Sequence, residues 1–444
     1  MTAVRIDAVD FTTRAVAMRL PFRFGSVTMR SATEAHCTVT VVIDGRAVEG
    51  RSAQLMVPRW FDKRAEMSGE DTVAELEDSV RTACAAAPGM TGPAIAITRD
   101  LRAEVEARVA AGTPRLAAGF GPALVEMALI DAICRSADVP FWTAARGDLF
   151  GLAADAPRDL SRERILATLA RIGPPQSVKL RHTVGFDSPL TDGELDGDGP
   201  DDGLPVSLAS AIEAYGFTAF KIKLKGDPDA DIARLAAIAP VIAARPELSV
   251  TLDANEQYGS SDAFLAFLGA LSRSEAASPI HEALRFVEQP FDRAAALAGP
   301  LPAGISVPLV IDESDDHEAA FAEALRLGWS GTSIKSCKGV LRALLNRARA
   351  DASGAILSGE DLTCQPGLCW QQDTSMAAAC GVQDLERNGH HFAGGMQGAP
   401  DTEIADRMVA HPDIYRSVNG RPALRIEGGE VAIGSLDRPG FGGT

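Results

Sequence analysis

Five short runs in this chain end in groups that can move a proton or hold a cation: Phe220-Lys-Ile-Lys-Leu-Lys225, Val250-Thr-Leu-Asp253, Phe286-Val-Glu288, Val310-Ile-Asp312 and Ser333-Ile-Lys335. Lysine is otherwise scarce. Only seven of the 43 basic residues are Lys, and five of these stand at 221, 223, 225, 335 and 338. Arg serves wherever a surface charge is enough, but it cannot lose its proton in a protein. A Lys among other cations or in a dry site can, and then acts as a base. The concentration of lysine at two places therefore points to proton-transfer chemistry.

Asp253, Glu288 and Asp312 each close an apolar run, which puts them at the rim of whatever sheet the runs form. Any one alone reads equally as a cap or ion-pair partner of the next helix. Together, three hard oxygen ligands suit Mg²⁺, or Mn²⁺, which favours octahedral oxygen coordination and leaves positions for water or substrate. Lys221, Lys223 and Lys225 share one face of an extended strand, because side chains alternate with period two. A neighbouring Lys221 lowers the pKa of Lys223 from about 10.4 towards a working range. Lys225 and Lys338 read as solvated cations at strand ends.

The elements that must position these groups follow from a pattern that begins near residue 176. Short β-branched runs alternate with helical stretches, which means parallel pairing. Strand ends fall at 177–184, 219–223, 249–253, 284–288, 309–312, 332–335, 355–358 and 383–386. Eight such units fit a (β/α)₈ barrel, in which catalytic groups collect at the carboxyl ends of the strands. A doubly wound open sheet would show a Gly-rich phosphate turn after an early strand, and none is present. Residues 1–60 instead carry strand and hairpin patterns, such as Cys37-Thr-Val-Thr-Val-Val-Ile43 before the turn Asp44-Gly45. Helical patterns follow near 71–86, 97–111 and 122–137. The expected organisation is α/β: an α+β capping domain over 1–140, a connecting segment over 141–175 and a barrel over 176–400. The segment 401–444 returns to the capping domain. The stretch 187–205, rich in Asp, Gly and Pro, reads as a solvated loop. Its Asp196-Gly-Asp198 fails as a calcium loop because Ser207 stands where a Glu is needed.

The totals narrow the partners. A net charge of −17 opposes binding to nucleic acid, which needs a basic face, and to an anionic membrane surface. A small carboxylate held through a cation remains compatible. Seven cysteines in no metal-like spacing, with Cys364 and Cys369 lacking a second pair, read as free thiols rather than a zinc site. With Arg5, Asp7 and Asp10 at the start and no apolar run of membrane length, the expected location is cytoplasmic.

Lys-x-Lys, Leu-Asp-Ala-Asn, Val-Glu-Gln-Pro, Ile-Asp-Glu-Ser and Ser-Ile-Lys, in this order, resemble the enolase superfamily and its muconate lactonizing enzyme-like branch. Glu126-Met-Ala-Leu-Ile-Asp131 and the closing Arg438-Pro-Gly-Phe-Gly-Gly443 are similar to the family's passage into the barrel and its C-terminal segment. The resemblance implies a divalent metal on Asp253, Glu288 and Asp312 that stabilises the enediolate of a carboxylate substrate. It further implies Lys223 and Lys335 as acid/base pair, Lys221 tuning Lys223, and Asn255 and Glu313 in support. Glu360, on the seventh strand, is a candidate to reach the site. Phe22, Phe24, Met56 and Trp60, on two capping loops, are candidates to meet an apolar distal group. Asp384 and Glu386 are similar to the acidic pair by which dipeptide epimerases hold an ammonium, although Glu stands for the second Asp and Arg387 follows. The loop between Asp253 and Glu288 is longer than the family's, with Ser272–Pro279 as an insertion, and Lys338-Gly339-Val340 replaces paired glycines. Barrels of this family commonly form homo-oligomers.

The expected activity is Mg-dependent α-proton abstraction, as a racemase, epimerase or cycloisomerase. Elimination by a dehydratase on the same site, a Schiff-base aldolase using Lys223 or Lys335, and a non-catalytic binding protein are the alternatives.

Overall fold

The computed structural model describes residues 2–25, 27–195 and 199–443. Ser26 and the Asp196–Asp198 stretch lie outside the described residues. At the N-terminus, β1 (Val4–Phe24), β2 (Val27–Ile43), β3 (Arg46–Met56) and the short β4 (Thr91–Gly92) form an antiparallel sheet in the order β3-β2-β1-β4. The alternation read at 37–43 is real: Cys37, Val39, Val41 and Ile43 are buried, and the residues between them are not. Asp44 and Gly45, both at positive φ, turn β2 into β3. Helices Gly69–Ala86, Ala94–Arg108 and Phe120–Ser136 complete this cap.

The helix Phe120–Ser136 is buried around its whole circumference from Phe120 to Cys134. With the short helix before it, it forms a stretch, 115–136, long and apolar enough to cross a membrane by length and composition, yet its apolar core from Leu116 to Cys134 is buried within the fold. The close approach of β3 to this helix requires Gly50, where a Cβ would collide with the Ala128 carbonyl.

The second sheet closes on itself. β5 (Ser177–Val184), β6 (Ala219–Lys223), β7 (Ser249–Asp253), β8 (Leu284–Glu288), β9 (Leu309–Ile311), β10 (Gly331–Ile334), β11 (Ile356–Gly359) and β12 (Leu385–Glu386) pair in parallel, and β12 pairs with β5. The ladders beside Asp312 and Lys335 stop one residue earlier than the sequence pattern suggests. At Asp312 the cause is visible: its backbone N–H donates to the Gln289 side chain at 2.8 Å instead of to a strand. A hairpin of β13 (Tyr415–Val418) and β14 (Arg421–Leu424) follows, and β15 (Glu430–Ala432) adds antiparallel to β5. The tail also touches the cap, where the Phe441 N–H donates to Asp131.

Ser272–Pro279 spans the end of helix Ser261–Arg273 and the start of a short helix, Ser278–Glu282. Cys364 and Cys369 lie side by side with Cα atoms 5.9 Å apart, and the other five cysteines are free thiols.

Candidate active site

Parallel register brings the chemistry together. Lys223 pairs with Asp253, and Asp253 with Glu288, so three adjacent strands present these side chains at one level. Lys221, Asp253, Glu288, Asp312, Lys335 and Glu360 are all essentially inaccessible to solvent. Lys223 Nζ donates to Asp253 Oδ2 at 2.6 Å. Lys221 Nζ lies 3.0 Å from Asp253 Oδ2, 2.8 Å from Glu288 Oε2, 2.7 Å from Glu360 Oε2 and 2.9 Å from Glu386 Oε2. Lys335 Nζ sits 2.8 Å from Asp312 Oδ1 and 2.7 Å from Glu360 Oε2.

Burial opposes charge on Lys221 and Lys335, but the carboxylates around each outweigh it and hold both ammonium groups well above the ordinary lysine range. Asp312 and Glu360 are likewise buried, yet their lysine partners hold them below the usual carboxylate range. Glu288 is the exception. Burial, with Asp253 and Glu360 nearby, pushes it well above that range; its Oε2 is paired with Lys221 at 2.8 Å, while its Oε1 has no hydrogen-bond partner.

Glu288, with one oxygen unpaired, tests the fit to a metal. Five carboxylates face Lys221, Lys223 and Lys335, and Glu288, Asp312 and Glu360 each offer an oxygen within 4.8 Å of one another. Buried acceptors without donors, crowded among other anions, are where a hard dication fits. The tightest three-oxygen cluster contains Glu360 rather than Asp253, whose Oδ1 and Oδ2 are engaged by the Asn255 N–H at 2.9 Å and by Lys223.

Asn255 and Glu313, the candidate supporting residues, lie side by side. Asn255 Nδ2 donates to Glu313 Oε1 at 3.3 Å. Lys63, which that reading passed over, reaches from the cap to the Asn255 carbonyl at 2.8 Å and Glu313 Oε1 at 3.2 Å, and also pairs with Glu256. Its only signal is its place three residues after Trp60. Lys225 is exposed, over the Phe186 ring. Lys338 is not the solvated cation expected: it is buried, donating to the Asp312 and Ser333 carbonyls at 2.8 and 3.0 Å.

A narrow cleft opens over the centre, lined by Phe22, Phe24, Val57 and Trp60 of the cap together with Lys223, Lys335 and Glu386. Trp60 places its ring 5.2 Å from Lys335 Nζ. Val57 lines the cleft where Met56 was expected, because Met56 is the last paired residue of β3 and packs into the core. Glu360 lies beneath, fixed by Ser358 at 2.6 Å and Arg181 at 3.4 Å. Asp384 is not at the cleft, since Arg181 and Arg285 bind its two oxygens. Arg181, on β5, gave no sequence signal at all.

Together, these features define a capped, closed (β/α)₈ barrel with lysines and carboxylates at the carboxyl ends of its strands. A family model described as enolase C-terminal domain-like matches residues 205–444, over half of the chain. The chain belongs to the enolase superfamily, in its mandelate racemase/muconate lactonizing enzyme branch. No curated protein matches it in sequence. Among solved structures it is similar to a mandelate racemase/muconate lactonizing protein from Herpetosiphon aurantiacus, with 20% identity over 99% of this chain and 98% of that one and a TM-score of 0.64. A dipeptide epimerase from Enterococcus faecalis V583, complexed with Mg and the dipeptide L-Leu-L-Tyr, gives 16% identity, 99% coverage of both chains and a TM-score of 0.64. A muconate lactonizing enzyme from Pseudomonas fluorescens, complexed with muconolactone, gives 17% identity over 99% of this chain and 96% of that one, with a TM-score of 0.63.

Proposed function

We propose that this protein abstracts the α-proton of a carboxylate substrate, as a racemase, epimerase or cycloisomerase. Asp253, Glu288 and Asp312 would hold Mg²⁺, or Mn²⁺, with Glu360 adjacent. Such a cation supplies Lewis acidity that stabilises negative charge on the substrate carboxylate as the α-proton leaves. The observation that carries the reading is a buried centre of carboxylates, with Glu288 Oε1 free of any hydrogen bond, standing between Lys223 on β6 and Lys335 after β10, both of which line the cleft.

Lys223, tethered to Asp253, and Lys335, tethered to Asp312 under Trp60, flank the acidic centre with three carboxylate-bearing strands between them. This arrangement suits removal of a proton from one side of a carbon and its return from the other. Lys221 does not line up with a substrate proton, because four carboxylates surround it; its part is to anchor those carboxylates. The carboxylates around Lys335 keep it protonated, which suits it to returning the proton that Lys223 removes.

The test is α-hydrogen exchange in D₂O with Mg²⁺ and a panel of carboxylates, followed by NMR. Exchange that depends on metal and disappears in Lys223→Ala and Lys335→Ala is the expected result. Exchange that persists in both variants would refute the assignment.

A further inference from the structure

Cys364 and Cys369 have no second cysteine pair near them in the sequence, but the fold brings two oxygens to them. Cys364 stands on the loop after β11, and Cys369 is the second residue of the helix Leu368–Ala379. Asp373 lies four residues further along that helix and so on the same face. The two sulfurs and one Asp373 oxygen lie within 4.8 Å of one another. Gln54, on β3 of the cap, adds its Oε1, 3.0 Å from Cys364 Sγ and 3.3 Å from Cys369 Sγ. Cys364 Sγ is also 3.3 Å from Asp373 Oδ2. All four side chains are buried.

Two observations point to a cation rather than to a packed pair of thiols. The two S–H groups supply two weak donors for three sulfur–oxygen contacts, and Gln54 Oε1 already accepts from the Leu55 N–H at 2.9 Å. Four acceptor atoms thus converge with fewer protons than contacts, and a bound cation satisfies all four. The oxygens are also aimed from behind. Ser336 donates its N–H at 3.2 Å and its hydroxyl to Asp373 Oδ1, which leaves Oδ2 for the sulfurs. Gln54 Nε2 donates to Ser336 Oγ at 2.8 Å, which turns Oε1 to the same point. Hydrogen bonds of this kind orient the ligands of metal centres.

Two sulfurs with two oxygens select a thiophilic dication such as Zn²⁺ over Mg²⁺. Tetrahedral zinc, with bonds of about 2.3 Å to sulfur and about 2.0 Å to oxygen, sets the two atom types about 3.5 Å apart. The three contacts here, 3.0, 3.3 and 3.3 Å, are close to that spacing. The sulfurs themselves touch, closer than two zinc-bound thiolates stand, so loading turns the two Cys side chains apart. Cys369 lies in the first turn of a helix, where a thiolate is favoured. The buried Arg387, donating to Thr374 at 3.2 Å, balances the excess negative charge.

We propose that Cys364, Cys369, Asp373 and Gln54 form a second metal site, separate from the carboxylate centre, that takes Zn²⁺ or another thiophilic dication. None of the four lines the cleft. The site is therefore closed and structural, clipping the cap strand β3 to the loop after β11 and the helix that follows. It does not depend on the proton-abstraction reading.

In the experiment the full-length protein is reduced, stripped of metal with chelator and titrated with Co²⁺ in excess Mg²⁺, which occupies oxygen-only sites. Thiolate ligation gives a sulfur-to-cobalt charge-transfer absorption that carboxylates cannot give. The band should saturate at about one Co²⁺ per chain and be bleached by Zn²⁺. The double variant Cys364→Ser/Cys369→Ser should lose the band, and Asp373→Asn should weaken Co²⁺ binding by about tenfold or more. The titration of the unaltered protein stands even if a variant does not fold. No charge-transfer band in the reduced protein, a band that survives in the double variant, or a Cys364–Cys369 disulfide that resists the reductant would overturn the proposal.

Discussion

The ammonium of Lys335 lies 5.2 Å from the ring of Trp60, so a barrel lysine and a capping-loop indole meet directly over the carboxylate centre. A desolvated cation over an indole face contributes on the order of 2 kcal/mol. Trp60→Ala is therefore expected to lower the rate of α-hydrogen exchange by roughly tenfold or more, with Mg²⁺ affinity unchanged, since Trp60 touches no carboxylate of the centre. Trp60→Phe should recover part of the rate. Exchange kinetics alongside a Mg²⁺ titration check both halves of the expectation.

Glu288 makes a prediction about the pH dependence of stability. Its folded-state pKa is raised by burial and by neighbouring carboxylates, so the contribution it makes to stability is present below the unfolded value, about 4.5, and is lost as pH rises. Glu288→Gln removes that pH-dependent penalty together with the ion pair to Lys221 at 2.8 Å, so the stability of the metal-free variant should fall less steeply with rising pH than that of the unaltered protein. The same change should abolish stabilisation by added Mg²⁺. Thermal melts with chelator and with excess Mg²⁺ read both effects, and for the unaltered protein the melting temperature should rise with Mg²⁺ concentration by mass action.

Glu360 has the reverse sign. Its Oε2 accepts from Lys221 and Lys335 at 2.7 Å each, and Arg181 stands behind it. Glu360→Gln leaves these buried cations short of an anion and should cost about 3–5 kcal/mol. Denaturant titration measures the loss. A cost below about 1 kcal/mol would mean that the remaining carboxylates satisfy both lysines without it.

A histidine cluster sets an acid limit. His182 stacks on Phe217 with ring centroids 4.8 Å apart and meets His391 edge-on at 5.0 Å. Burial pushes His182 down to about 4, and burial with neighbouring cations holds His390 and His391 well below the ordinary histidine range. The folded protein keeps these rings neutral while the unfolded chain protonates them near 6.5, so stability is full above that pH and falls as the pH drops from about 6.5 towards 4. His182 alone accounts for a loss on the order of 3 kcal/mol across that window. Unfolding free energies at pH 8, 6 and 5 should show this slope, and His182→Leu should make it shallower.

The sequence by itself determined the elements and the local placement of the chemistry. β-branched runs alternating with helices specify a parallel barrel, and a carboxylate or lysine closing each run specifies the rim, because both depend only on the period of side chains along a strand. Lys223, Asp253 and Glu288 were legible for this reason. The tertiary structure decided which charges neutralise which. Arg181 meets Asp384 across 203 residues because β12 closes onto β5. Lys63 reaches Glu313 because the cap sits over the barrel, and Lys338 is buried because the turn after β10 folds back onto Asp312. Such pairings depend on distances between segments remote in the chain, which no local pattern of residues encodes.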